Sequence, residues 1–87
     1  MTKEEIKKRK INFLALQVLY DMEKTGCSPC NVRMGCRLVR TLDGNDITVK
    51  TAYLRVRQNV NYVDSEILEK INNQSCVVKP LKKDCNN

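Results

Sequence analysis

Between Ile11 and Met22 the apolar residues recur at helical spacing. Ile11, Leu14, Ala15, Val18, Leu19 and Met22 form one broad stripe, and a period near 3.6 is the mark of an amphipathic helix. Thr2 suits an N-cap, Glu4 and Glu5 stand in the opening turn where the helix dipole favours acids, and Gly26 is placed to stop the helix after Lys24. The pattern predicts a helix from about Thr2 to Lys24. Phe13, Leu16 and Tyr20 form a second stripe on roughly the opposite side. A helix that is apolar on two faces is either central to its fold or offers one face to a partner. These three residues are therefore the first candidates for a dimer or partner face.

Three more helical segments follow. Ser28 is a good N-cap and Pro29 suits the first helical position, predicting a second helix that reaches Leu42, with Asp43-Gly44-Asn45 as the turn. On that helix Val32, Met34, Gly35, Cys36, Leu38, Val39 and Leu42 share a wide arc, and Arg33, Arg37 and Arg40 gather on the other side as a basic ridge. A third helix runs from Thr48, as N-cap or first-turn residue, to about Asn59. Val49, Ala52, Tyr53, Val56 and Val60 form its buried stripe, leaving Lys50, Thr51, Leu54, Arg55, Arg57 and Gln58 outward. An extended link from Val60 to Val63 leads to a fourth helix capped by Asp64 or Ser65, with Ile67, Leu68 and Ile71 inward and Asn72-Asn73 at its end. No pair of strands joined by a tight turn is apparent. The expected fold class is all-α: a bundle of about four helices over residues 1–73, followed by a flexible, polar, lysine-rich C-terminal tail over 74–87.

Composition narrows the function classes. At 87 residues the chain is one domain with a modest core, and 41% hydrophobic against 30% charged residues is too apolar for a disordered chain. It contains no histidine, so the commonest general acid/base and the usual activator of a nucleophilic Ser or Cys are both missing. An enzyme is not expected, nor a small-molecule substrate or a cofactor. The apolar run Phe13 to Tyr20 is broken by Gln17 and falls short of the roughly 20 residues a membrane span needs. Lys7-Lys8-Arg9-Lys10 before that run imitates the start of a signal peptide, but Asp21, Glu23 and Lys24 follow with no small-residue cleavage site. A cytoplasmic location is expected.

Five cysteines are present. Cys27 and Cys30 form a C-x-x-C that follows a long amphipathic helix, where a thioredoxin-like site would follow a buried strand. A zinc site would draw on Cys27, Cys30 and Cys36 with Cys76 or Cys85, yet the second C-x-x-C that makes such sites recognisable is missing. Reduced cysteines, some packed as small apolar residues, are the expected state, and the odd count argues against a disulfide framework.

The net charge of +6, from 16 Lys and Arg against 10 Asp and Glu, favours polyanionic partners without specifying one. Placement is more informative. The run Ile47-Thr48-Val49-Lys50-Thr51-Ala52-Tyr53-Leu54-Arg55-Val56 resembles the helix-turn-helix family of DNA-binding proteins, with Asp46 where that family usually has Gly and a turn one or two residues longer. The resemblance spans residues 33–59. It implies that Ile47, Ala52 and Val56 seat a recognition helix in which Thr48 is the cap. Lys50, Thr51 and Leu54 would then face base edges in the major groove, and Arg55, Arg57 and Gln58 would meet bases or phosphates. Arg33, Arg37 and Arg40 would contact phosphates. With one Phe and three Tyr, the ring and base interleaving of single-strand or RNA binders is missing.

These features together predict a small transcriptional regulator that binds double-stranded DNA, as a homodimer through Phe13, Leu16 and Tyr20 or through the fourth helix. Its size and its lysine- and asparagine-rich composition suit a phage or other mobile-element gene. The alternative is a protein-binding inhibitor or adaptor acting on a host nucleic-acid enzyme, since fold does not dictate function.

Overall fold

The first helix forms as its stripe demands. In the computed structural model, which describes residues 2–25, 37–74 and 81–82, α1 spans Lys3–Thr25. Its start is a reciprocal capping box. The Thr2 hydroxyl accepts from the Glu5 N–H at 3.1 Å, and the Glu5 carboxylate accepts from the Thr2 N–H at 3.4 Å. Ile11, Leu14, Ala15, Val18, Leu19 and Met22 are all buried. The opposite stripe is not: Phe13 and Leu16 are half-buried and Tyr20 is 57% exposed.

After α1 the described chain resumes as a β-hairpin, which corrects the second predicted helix. Strand β1 (Leu38–Arg40) pairs antiparallel with β2 (Asp46–Thr48) in the register Leu38↔Thr48, Val39↔Ile47, Arg40↔Asp46. Residues 37–42 are therefore not the end of a helix, and the part of that prediction from Ser28 to Cys36 lies outside the described residues. A pair of strands joined by a tight turn, which the pattern concealed, is present. The physical reason is the period. Val39 and Ile47 pack half-buried on the core while Leu38, Arg40 and Asp46 face outward, so alternation at every second residue wins over the helical arc that the same apolar positions also permit.

The turn predicted at Asp43-Gly44-Asn45 is where the hairpin folds back. The Thr41 N–H donates to the Asn45 carbonyl at 2.7 Å, and the Gly44 N–H to the Thr41 carbonyl at 2.9 Å. The Thr41 hydroxyl, on a residue only 8% exposed, accepts from the Asn45 N–H. Gly44 sits at φ +89°, a conformation open to glycine and strained for side chains.

Helix α2 (Val49–Gln58) leaves β2 directly, with Thr48 as last strand residue and N-cap at once; its hydroxyl accepts from the Thr51 N–H at 3.1 Å. Val49, Ala52, Tyr53 and Val56 are buried, as their spacing predicts, and Val60 is half-buried. The link that follows is not extended but a single 3-10 turn, Val60–Tyr62, that buries Val63. Helix α3 (Ser65–Asn72) has Asp64 as N-cap and Asn73 as C-cap, and buries Leu68 and Ile71 with Ile67 half-buried against them.

The described chain is thus mostly helical with a small two-stranded sheet, and not a purely helical bundle. All of it is arranged about α1. The hairpin runs alongside, tied by Asp21 to Arg37 at one end and by Lys10 to Asp43 at the other. Helix α2 lies across the buried stripe, and α3 completes the core. The Asn12 side chain fixes the turn between α2 and α3: it donates to the Tyr62 carbonyl at 2.9 Å and accepts from the Asp64 N–H at 2.7 Å. The tail is not wholly free of the core. Leu81 is 5% exposed, and its N–H and carbonyl both bond the Asn72 amide at 2.7 Å.

Candidate nucleic-acid interface

Helix α2 has three bases and no acid in its ten residues. Burial of Val49, Ala52, Tyr53 and Val56 against α1 fixes its rotation, and the rest follows from the helical period. Lys50, Thr51, Leu54, Arg55, Arg57 and Gln58 are all exposed. None of Lys50, Arg55 and Arg57 forms an ion pair with a described carboxylate. Their charge is directed to solvent rather than into the fold. Arg55 and Arg57 lie in the last turn, where the helix dipole also favours cations.

At the other end of α2, the Thr48 and Thr51 hydroxyls are 2.8 Å apart. Thr51 thereby sits in one orientation beside Lys50 at the helix start. Leu54 is 44% exposed between the two groups of polar side chains. A helix of ten residues is about 15 Å long, comparable with the major groove's width of about 12 Å.

Arg37 and Arg40, expected on a helix face as part of an arginine ridge, do not lie on a helix. Arg37 lies just before β1 and grips Asp21 through two bonds, Nε to Oδ1 at 2.9 Å and Nη2 to Oδ2 at 2.8 Å, with the Asp21 side chain only 11% exposed. Its guanidinium is committed to holding the hairpin on α1, and its backbone carbonyl receives the Val49 N–H that starts α2. Arg40 lies on the outer face of β1 and reaches its cross-strand neighbour Asp46 at 3.3 Å, an exposed pair. Arg33 lies outside the described residues. Of the arginines expected to share one face, the two described are divided between a structural clamp, Arg37, and a hairpin surface, Arg40.

The helix expected to precede the recognition helix is replaced over 38–48 by the hairpin. Helix α2 is consequently presented by a strand that runs straight into it, and its angle is set by packing on α1. One residue missed in the sequence joins the same surface. Leu38, 61% exposed, stands opposite Thr48 in the hairpin register and so beside the start of α2. Only a strand assignment would have revealed it, since helical spacing places Leu38 inward.

Cys27, Cys30, Cys36, Cys76 and Cys85 all lie outside the described residues. Among the described residues no cluster of three or more His, Cys, Asp or Glu could hold a metal ion, and no helix is long and apolar enough to cross a membrane. The chain matches no family model, no curated protein and no solved structure.

Proposed function

We propose that the chain is a double-stranded-DNA-binding regulator that lays the outward face of α2 in the major groove. The observation that carries this reading is the basic face itself: Lys50, Arg55 and Arg57 exposed on one helix without an ion pair to any described carboxylate, with Thr51 and Gln58 among them as hydrogen-bonding side chains and no acid on the helix. In this role Lys50 and Thr51 read base edges from the helix start, Leu54 meets a thymine methyl group, and Arg55, Arg57 and Gln58 hold bases or phosphates. Arg37 is removed from the contact set because it serves the fold, and Arg40 contributes only by leaving Asp46. The hairpin takes the place that a first helix would have, with Leu38 and Thr48 at its rim.

The test is binding to a random-sequence duplex pool across salt concentrations, with and without Arg55→Ala plus Arg57→Ala. Each lost phosphate contact lowers the slope of log K against log salt by about 0.9, so two lost contacts lower it by about 1.8. A folded double variant that binds as the parent does, with the same slope, would remove α2 from the interface. No retention of any duplex by the parent at low salt would end the DNA reading.

A second reading has an observation of its own. Leu38 and Leu54 are each more than 40% exposed, and apolar side chains beside the basic face of α2 also suit an acidic protein partner, as an inhibitor or adaptor would require. Leu54→Ala separates the two. It relaxes preference at one base position in the first case and abolishes partner binding in the second.

A further inference from the structure

The outward stripe of α1 is not absorbed by the DNA reading. Arg9, Phe13, Leu16, Tyr20 and Glu23 follow one another at intervals of four, three, four and three residues, which is the heptad spacing of a helix-pairing seam. At about 100° per residue, Phe13, Leu16 and Tyr20 lie roughly 140–160° around the helix from Val18. Val18 is fully buried in the core that α2 covers, so the stripe lies on the side of α1 away from α2, with α3 along its Leu16 edge. Beside Leu16 an open groove of ≈ 540 Å³, lined also by Asp64, Ser65, Glu66, Ile67 and Lys70, leaves room for an aromatic ring.

The charges at the ends of the stripe identify what covers it. Arg9 stands seven residues before Leu16 and Glu23 seven residues after it, and both are exposed. Each is therefore about 10.5 Å from Leu16 along the axis. A second copy laid antiparallel across Leu16 brings each Arg9 opposite the partner copy's Glu23 on both sides of a two-fold axis. Phe13 of each copy then falls beside Tyr20 of the other. A parallel pair would instead oppose like charges. The stripe is complementary to itself in one orientation.

We propose that α1 is a self-association face, forming an antiparallel two-fold dimer centred on Leu16 with Arg9 and Glu23 paired between copies. Helix α2 packs on the opposite side of α1, and its own basic face points away from α1. The dimer therefore carries its two α2 faces on opposite outer surfaces. Two such faces cannot enter one duplex side by side. Resting on the DNA reading, the dimer joins two duplex segments and does not read one palindromic site.

The experiment begins without DNA. Sedimentation of the purified, reduced chain is expected to show a dimer with a dissociation constant on the order of 10 µM. Tyr20→Glu, at an already exposed position, should abolish it with an unchanged circular dichroism spectrum. Arg9→Glu and Glu23→Arg should each weaken it about tenfold, and the two together should restore it. A chain that stays monomeric throughout overturns the proposal, and self-association insensitive to Tyr20→Glu places the face elsewhere. Dimers broken by Tyr20→Glu but indifferent to both charge reversals overturn the antiparallel register.

The second arm immobilises one random-sequence duplex and asks whether the protein retains a labelled second one. Retention by the parent and not by Tyr20→Glu, which still binds single duplexes, is the expected result. Dimerisation with duplex binding but no retention overturns the opposed arrangement. Dimerisation with no duplex binding at all defeats the DNA reading alone.

Discussion

Replacing Asn12 by Ala tests how the α2–α3 turn is held to α1. The Asn12 amide donates to the Lys8 carbonyl at 2.8 Å and to the Tyr62 carbonyl at 2.9 Å, and accepts from the Asp64 N–H at 2.7 Å. The Lys8 carbonyl keeps its place in the helical ladder, so its loss is small. The Tyr62 carbonyl and the Asp64 N–H lose a partner 50 and 52 residues away in sequence. A buried polar group left unpaired costs about 1–3 kcal/mol, and here water reaches part of the site because Asp64 is exposed. The two together should cost about 2 kcal/mol, which in a domain of this size lowers the melting temperature by about 8–16 °C. Thermal and urea unfolding followed by circular dichroism would read it. Asn12→Asp should cost at least as much at neutral pH, because a carboxylate still accepts from Asp64 but repels the Tyr62 carbonyl. A loss below about 0.5 kcal/mol in Asn12→Ala, the range of an ordinary surface substitution, would refute the assignment of Asn12 as the clamp.

Leu81→Ala removes a side chain that the core encloses and should cost about 2–3 kcal/mol in urea unfolding; an unchanged midpoint would mean that the tail adds nothing to the fold. Thr48→Ala deletes the N-cap of α2 and should cost about 1 kcal/mol, while Thr48→Ser should cost much less because it keeps the hydroxyl that accepts from Thr51. Asp21→Ala should cost about 1–2 kcal/mol, a figure reduced by the 33% exposure of the Arg37 side chain, and should increase amide exchange in the hairpin before it does so in α3.

The three helices of the described chain were legible for one reason: each buries a stripe whose period the sequence displays. Ile11 to Met22, Val49 to Val56, and Leu68 with Ile71 repeat at intervals only a helix aligns, and Thr2 and Thr48 announce the starts through side chains that bond their own first turns. The outward set of α2 followed from the same arithmetic, because a buried stripe leaves its complement exposed. The hairpin was hidden because Leu38, Val39 and Leu42 satisfy a helical arc as well as a strand's alternation, and three-residue strands are too short to separate the two periods. What decides between them is Asp21, sixteen residues earlier than Arg37, and a core surface that receives Val39 and Ile47 together.

Helical order in this protein is therefore written in the sequence, since helix formation and capping depend on residues within a turn or two of one another. Tertiary structure alone determined the partners: Arg37 given to Asp21 and not to a phosphate, Asn12 bonded to Tyr62 and Asp64, Asn72 holding Leu81 from a segment that reads as a solvated tail. A side chain's hydrogen-bond capacity is intrinsic, but which group fills it depends on what the folded chain brings within 3 Å. For the same reason the charge of the arginines was known from composition, whereas their freedom to meet a ligand became visible only once the acids beside them were located.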